Sequence, residues 1–257
     1  MSREIESSGV FVILGASGGI GSCVAARLKQ AGHSVLLASR SSDRLDRLAA
    51  ELDSPKLEVD ATSLEDVEAC FARAVEVFGR VDGAANCVGS ILLKSAHMTS
   101  ESEWHETIAT NLSSAFATVR AAAKTMRKGG GSVVLMSSAA GRIGLASHEA
   151  IAAAKAGIIG LAQSAAASYA TRNLRFNVVA PGLVKTNLTK KIWESERAAA
   201  TSRAMHSLGR LGEPHEVASL ITWLLDPTNS WMTGEVISID GGLANVRSSG
   251  RLQPQTG

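Results

Sequence analysis

Aromatic side chains are scarce in this chain: they make up 4% of the 257 residues, and Tyr169 is the single tyrosine. The core must therefore be built mainly from alanine, valine, leucine and isoleucine. The three cysteines, Cys23, Cys70 and Cys87, are odd in number and widely spaced. This excludes a disulfide framework and indicates free thiols in a reducing compartment. No His/Cys/Asp/Glu cluster has metal-ligand spacing, so no metal site is predicted.

The chain also lacks a large excess of charge of either sign, and it lacks long hydrophobic runs. The chain has 26 Lys and Arg against 24 Asp and Glu, for a net charge of +2. No basic block stands out, so a nucleic-acid partner is not expected. The N-terminus carries both charge signs and does not resemble a signal peptide. No segment has about 18 uninterrupted apolar residues, so we expect no membrane span and a cytoplasmic location.

Short apolar runs alternate with longer segments of helical periodicity. We predict strands at residues 10–14, 34–38, 57–59, 81–85, 132–136, 175–179 and 236–239. Helices are predicted at residues 19–31, 43–52, 64–78, 101–127 (one helix or two abutting ones), 148–170 and 214–225. Because parallel strands need crossover connections, this alternation predicts an α/β fold. We expect a single-domain Rossmann fold over residues 1–245: a doubly wound, seven-stranded parallel sheet with helices on both faces.

Two segments fall outside that alternation. Residues 246–257 form a polar C-terminal tail, which is expected to be loose. Residues 186–205 are polar and alanine-rich, and they are predicted to form a mobile lid. Trp193 within this lid is interpreted as a packing or interface residue, and contact with the substrate is the alternative. His206 is interpreted as a surface or helix-end residue.

A glycine-rich turn lies between the first strand and the first helix. It contains Gly15, Ser17, Gly18, Gly19, Ile20 and Gly21. Glycines at this place permit a tight turn and a close approach of the backbone to a pyrophosphate, and the helix N-terminus offers N–H groups to the phosphates. The strand–turn–helix context favours a dinucleotide site over the alternative of a simple tight turn.

The end of the second strand predicts which dinucleotide is bound. Ser39 and Arg40 stand where an acidic residue would bind the ribose of NAD. Hydroxyls and a guanidinium suit the 2′-phosphate of NADP instead. We therefore expect NADP(H) to be preferred over NAD(H), the alternative being that Arg40 is a solvated surface charge.

Further motifs follow the later strands in order. They are Asp60-Ala61, Asn86-Cys87-Val88-Gly89, Asn111, Met136-Ser137-Ser138, Lys155, Ala180-Pro181-Gly182 with Val184 and Thr186, and Thr233-Gly234 through Asp240-Gly241-Gly242. With these blocks the chain resembles the short-chain dehydrogenase/reductase family, particularly its β-ketoacyl-carrier-protein-reductase-like branch, over about residues 10–242.

The resemblance implies a role for each matching residue. Asp60, Ala61, Asn86 and Gly89 would lie along the dinucleotide, and Pro181, Gly182, Val184 and Thr186 would hold its carboxamide end. Ser138, Lys155 and Asn111 would be catalytic, with Lys155 also binding the nicotinamide ribose. The family acts on small molecules, and its members are dimers or tetramers. We accordingly expect a small-molecule substrate and a homo-oligomer, a tetramer more than a dimer.

The chain departs from the family at one position. The family places a catalytic tyrosine 13 residues after the serine and four before the lysine, and Ile151 stands there. Tyr169 cannot replace it, because it lies about 21 Å from Lys155 along a helix. His148, seven residues before Lys155, is the candidate proton donor. Its alternative role is simply to open the helix, which leaves Ser138, a relayed water or the substrate to manage the proton.

Three functions remain open on this basis. The first is an NADP(H)-dependent oxidoreductase that acts on a carbonyl, an alcohol or an activated C=C bond with a non-tyrosine proton donor. The second is a catalytically weak or inactive dinucleotide-binding sensor or scaffold. The third is a non-redox enzyme on the same scaffold, since the fold alone does not determine the chemistry.

Overall fold

The computed structural model describes residues 8–40, 43–126 and 129–246, and their fold is built on one parallel sheet. Its order is β3-β2-β1-β4-β5-β6-β7. The strands are β1 (Val10–Leu14), β2 (Ser34–Ser39), β3 (Lys56–Glu58), β4 (Gly83–Asn86), β5 (Gly131–Met136), β6 (Leu174–Pro181) and β7 (Val236–Ile239). The order reverses between β1 and β4, which opens a crevice at their carboxyl ends. The predicted single-domain, doubly wound architecture is confirmed.

Nine α-helices lie within the described residues. They are α1 (Gly19–Gln30), α2 (Asp43–Glu51), α3 (Leu64–Phe78), α4 (Glu101–Ile108), α5 (Ser114–Thr125), α6 (Glu149–Tyr169), α7 (Lys190–Trp193), α8 (Glu196–Met205) and α9 (Pro214–Leu225). The stretch predicted as one helix or two is two helices joined by a π-helical turn, Ala109–Ser113. The predicted end of that stretch, Arg127, lies outside the described residues.

The side chains of β1 show how the core forms on both faces of the sheet. Val12 and Leu14 pack into one buried cluster with residues of α3, α5 and α6. Phe11 and Ile13 point the other way, into a second cluster with residues of α1, α2 and α9. Because alternate residues of a strand face opposite sides, a strand buried on both faces is apolar throughout, as β1 is.

Helix α6 is the longest of the described helices and is largely apolar. Residues Glu149–Arg172 have the length and the mean hydropathy, 1.4, of a membrane-crossing helix, and 44% of that window is buried within the structure. Its inner side packs on β5 and β6, and Ala154, Ile158 and Ala162 are buried there. It is therefore the core helix of an α/β layer. Part of its apolar surface remains uncovered in the single chain.

The segment predicted to be a lid leaves β6 and returns to α9. It contains α7 and α8, which contact each other. Both helices are short. The mobility predicted for residues 186–205 stays a prediction.

Candidate active site

A cavity of about 590 Å³ runs along the carboxyl ends of the strands, over the crevice between β1 and β4. It brings together most of the predicted site residues. Lining it are Gly15, Ser17, Gly18, Gly19, Ile20, Gly21, Ser39, Arg40, Asp60, Ala61, Gly89, Ser138, His148, Lys155, Pro181, Gly182, Val184 and Thr186. Among the described residues, Asn86 and Asn111 are the two predicted site residues that do not line it.

The glycine turn has a geometry that only glycine satisfies. Gly15 has φ of +75°, and a Cβ there would lie 2.9 Å from the backbone carbon of Cys87. A Cβ on Gly21 would lie 2.3 Å from the carbonyl oxygen of Gly15. No side chain in the described part of the chain caps the N-terminus of α1, so its first N–H groups are left for an anion. The turn thus fits the pyrophosphate of a dinucleotide.

Polar side chains surround the end of the cavity beyond β2 and β3. The hydroxyls of Ser17 and Ser39 are 2.7 Å apart. Asp60 accepts hydrogen bonds from the backbone N–H and the hydroxyl of Thr62, which lower the pKa of its carboxyl, and the charge of Arg40 adds to this effect. Arg40 is exposed, and a second arginine, Arg44, also lines the cavity. The sequence prediction missed Arg44, although the helix predicted at residues 43–52 already placed this residue in its first turn, close to the end of β2.

Lys155 enters the cavity from α6. Its Nζ donates a hydrogen bond to the carbonyl oxygen of Met136 at 2.9 Å, and its own carbonyl accepts one from Ser137 Oγ at 2.7 Å. Burial lowers the pKa of the Lys155 ammonium to about 8. Ser138 Oγ accepts a hydrogen bond from the backbone N–H of Ala140, which leaves its own proton to donate.

The two asparagines support the cavity from behind. Asn86 Nδ2 donates to the hydroxyl of Thr118, and its Oδ1 accepts from the backbone N–H of Val88. Asn86 therefore shapes the turn after β4 and is not among the residues that line the cavity, and its place along the dinucleotide stays a prediction. Asn111 is 1% exposed, and its side chain bonds to both the N–H and the hydroxyl of Ser90. The π-helical turn gives Asn111 this position. Sequence reasoning did not single out Ser90, which lines the cavity.

Ile151 lines the cavity and is 4% exposed, so an aliphatic side chain occupies the place of the family's phenol. His148 lines the same cavity, but it is the N-cap of α6 and precedes the helix, whereas the prediction began the helix at His148. Its Nδ1 lies 2.7 Å from the carbonyl oxygen of Ala146. A carbonyl only accepts, so Nδ1 carries a proton and Nε2 of the neutral ring is an acceptor. His148 can therefore donate a proton from Nε2 only as an imidazolium.

Two residues make hydrogen bonds within the lid and at its base, and the sequence prediction differs from the structure for one of them, His206. Trp193 is not among the residues that line the cavity, and its indole N–H donates to the carbonyl of Thr186 at 2.9 Å. His206 is 5% exposed and is not a surface residue, although it does end α8. Its Nε2 accepts from the N–H of Leu183 at 3.1 Å, and its Nδ1 bonds to the carbonyl of Ser202. His206 thus ties the lid to the strand end.

The fold and the cavity define a dinucleotide-binding enzyme of the doubly wound α/β class. Residues 15–244 match the family profile described as "Enoyl-(Acyl carrier protein) reductase". The chain is 35% identical to a 3-oxoacyl-[acyl-carrier-protein] reductase of Thermotoga maritima over 240 residues, 91% of this chain and 97% of that one. It therefore belongs to the short-chain dehydrogenase/reductase family, whose members are nicotinamide-dinucleotide-dependent oxidoreductases.

Solved structures agree with that assignment. A short-chain dehydrogenase/reductase from Mycobacterium ulcerans superposes with a TM-score of 0.89 at 29% identity, covering 93% of this chain and 91% of that one. The protein ElxO, solved with NADP bound, superposes with a TM-score of 0.86 at 30% identity, covering 92% and 98%. The chain is an enzyme with the Rossmann fold of this family.

Proposed function

We propose that this chain is an NADP(H)-dependent oxidoreductase that transfers a hydride to or from a carbonyl, an alcohol or an activated C=C bond without a tyrosine proton donor. One observation carries the proposal: Ser138 and Lys155 line the same cavity as the glycine turn. When bound, the nicotinamide dinucleotide supplies or accepts the hydride.

The proposed binding residues follow the cavity from end to end. The amides of Gly19 through Gly21 bind the pyrophosphate, because the N–H of Gly18 already donates to the carbonyl of Gly15. Ser39, Arg40 and Arg44 receive the 2′-phosphate. Asp60 and Ala61 flank the adenine. Lys155 binds the nicotinamide ribose, and the carboxamide lies against the segment from Pro181 to Thr186.

The preference for NADP(H) rests on charge. Two guanidinium groups, those of Arg40 and Arg44, line the end of the cavity beyond β2. No acidic residue follows β2 directly, and the carboxylate of Asp60 is held by Thr62. A phosphate dianion there gains charge-assisted hydrogen bonds that a ribose hydroxyl cannot match.

In the absence of the tyrosine, we assign proton donation and stabilisation of the reacting oxygen to Ser138, Lys155 and His148. Reduction of a carbonyl develops an alkoxide, which a hydrogen bond from Ser138 stabilises. In the free protein below pH about 8 the side chain of Lys155 is an ammonium, which adds positive charge at the same place. His148 donates a proton only in its imidazolium form, because Ala146 holds the proton on Nδ1. As a neutral ring it instead serves as a base for alcohol oxidation.

A second candidate function is favoured by Ile151. An aliphatic side chain in place of the phenol removes a general acid, and such a loss typically lowers rates by about 10²–10⁴-fold. A catalytically weak dinucleotide-binding sensor would retain the glycine turn and lose turnover.

The test measures the oxidation of NADPH in the presence of each member of a panel of ketones and enones. The fall in NADPH absorbance monitors the reaction. Oxidoreductase function predicts turnover that falls by about 10²–10³-fold in Ser138→Ala, as for the loss of a donor to an oxyanion. His148→Ala tests the proton role, with His105→Ala on the exposed face of α4 as the matched control. NADPH binding without turnover on any substrate would favour the sensor.

The subunit arrangement is part of the proposal. Phe116 on α5 is 48% exposed, and α6 presents Ala153, Ala156 and Ala167 to solvent in the single chain. An apolar surface on two neighbouring helices favours a helix-to-helix contact between copies. We propose a homotetramer, with a dimer as the smaller alternative, located in the cytoplasm. Sedimentation as a monomer at micromolar concentration would contradict this.

A further inference from the structure

The sheet order divides the cavity into two parts. Segments that follow β2 and β3 lie on one side of β1, and segments that follow β4, β5 and β6 lie on the other. The second side contains Lys155 and Ser138. We call it the substrate chamber and define it by six apolar side chains: Ile91, Leu93, Leu145, Ile151, Leu188 and Met205.

These six side chains come from separate parts of the chain. Ile91 and Leu93 follow β4, Leu145 and Ile151 lie before and within the start of α6, and Leu188 and Met205 belong to the lid. Each segment connects different elements, so their meeting at one cavity is a property of the fold.

Several of the chamber residues are open to solvent. Leu93 is 45% exposed, Leu188 54% and Met205 45%. A single exposed apolar residue is ordinary on a protein surface. Three of them lining one cavity form an apolar patch, and a ligand that covers this patch binds more favourably.

Charge is distributed unevenly along the cavity. Of the described residues that line it, the charged ones are Arg40, Arg44, Asp60 and Lys155. The first three follow β2 or β3 and lie outside the chamber. Lys155 already donates to Met136 and stands beside the proposed nicotinamide ribose site. A carboxylate or phosphate on the substrate would therefore lose water in the chamber without gaining a partner of its own.

Uncharged polar side chains also line the cavity on this side: Ser90, Thr110, Ser138, His148, Asn187 and Ser202. Ser138 is the one assigned to the reacting oxygen. Hydroxyls of a sugar or a polyol that met the six apolar side chains would have no partner there, and buried hydroxyls without partners cost free energy.

We propose that the substrate is an uncharged, lipophilic carbonyl compound, or the alcohol or enone related to it. Its hydrocarbon body lies against the six apolar residues, and its oxygen faces Ser138. Ile151 is a specificity-determining residue in this arrangement, because it packs on the hydrocarbon where the family has a phenol. The inference rests on the proposed function, since it uses the same cavity.

The test measures binding, so it does not depend on turnover. Methyl ketones of increasing length, from pentanone to nonanone, are titrated calorimetrically into the protein saturated with NADP⁺, which has no hydride to give, so the ketone is not consumed. Each added methylene that enters the chamber is expected to tighten the dissociation constant about four-fold. Replacing the terminal methyl of nonanone by a carboxylate is expected to weaken binding roughly ten-fold or more.

A pair of variants assigns the effect to the chamber. Leu188→Gln should flatten the dependence on chain length. Leu64→Gln, at an exposed leucine on α3 that does not line the cavity, should leave it unchanged. A flat series in the wild type, or a preference for the carboxylate or for glycerol, would overturn the inference.

Failure of the inference and failure of the proposed function give different results. Absence of NADPH binding contradicts the proposed function itself. Bound NADP⁺ with no dependence on chain length contradicts only the lipophilic substrate. Ketones that bind with the expected dependence but are never reduced support the chamber and contradict the redox activity.

Discussion

The ammonium of Lys155 donates a hydrogen bond to the carbonyl oxygen of Met136, 2.9 Å away, at the carboxyl end of β5. One helical turn before Lys155, Ile151 presents an aliphatic side chain to the same cavity. The lysine is therefore held by the sheet and does not need a phenol to be positioned. The chain therefore keeps one feature of the family's active site, the buried lysine in the cavity that the glycine turn lines, and lacks another, the tyrosine.

Burial of Lys155 predicts a change of stability with pH. Burial lowers the pKa from 10.5 to about 8, so between these pH values the unfolded chain binds more protons than the folded one. The free energy of unfolding of the wild type should therefore rise with pH through this window, by up to about 3 kcal/mol relative to Lys155→Met. Urea unfolding followed by tryptophan fluorescence at several pH values measures the difference. Lys191→Met, at an exposed lysine on α7, is the control, and parallel curves for wild type and Lys155→Met would refute the prediction.

Crowding at Gly21 predicts loss of both stability and cofactor binding in Gly21→Ala. The new methyl group would lie 2.3 Å from the carbonyl oxygen of Gly15, which is backbone and cannot rotate away. We expect the free energy of unfolding to fall by about 1–3 kcal/mol and the affinity for NADPH to decrease. Gly144→Ala is the control, because a Cβ there meets no heavy atom within 4 Å. Unchanged NADPH affinity in Gly21→Ala would show that the turn does not hold the cofactor.

The arginines beyond β2 predict which dinucleotide loses affinity when they are removed. Arg40→Ala should weaken NADPH binding about 10–100-fold, because a charge-assisted hydrogen bond contributes about 1.5–3 kcal/mol. NADH affinity should change little. Arg47→Ala, on α2 but outside the cavity lining, serves as the control. Equal losses for NADPH and NADH would contradict recognition of the 2′-phosphate by Arg40.

Restoring the phenol predicts a gain of ketone reduction. In Ile151→Tyr a hydroxyl enters the cavity near Lys155, and the rate of carbonyl reduction should rise, by as much as about 10²–10⁴-fold if proton donation limits it. Ile151→Phe adds the ring without the hydroxyl and should give no such gain. Identical rates in the two variants would show that proton donation at this position does not limit the reaction.

Local signals were sufficient to predict several elements. Helix α3 begins and ends where the sequence indicates, since Ser63 caps its first turn through the N–H of Asp66 and Gly79 adopts the left-handed conformation after its last residue. Spacing along the chain was enough to locate Ile151 four residues before Lys155. The glycine turn and Arg40 followed from their place beside the first two strands, whereas most of the other predicted lining residues came from the resemblance to the family.

What could not be predicted depends on contacts between distant segments. His206 looked like a surface histidine because its partner, Leu183, lies 23 residues away and meets it only when the lid folds back. Strand β4 was placed too early: Asp82 lies before it and accepts from the N–H of Val10, so the preceding residues belong to the connection. The hydrogen bond from the Asn86 side chain to Thr118 on α5 joins residues 32 positions apart and was not predicted either.

The most direct test of the central claim is a calorimetric titration of the purified protein with NADPH and, separately, with NADH. One NADPH per chain, bound with a dissociation constant of roughly micromolar order and more tightly than NADH, is the expected result. If neither nucleotide binds at millimolar concentration, the glycine turn from Gly15 to Gly21 is not a dinucleotide site and the proposed chemistry is wrong.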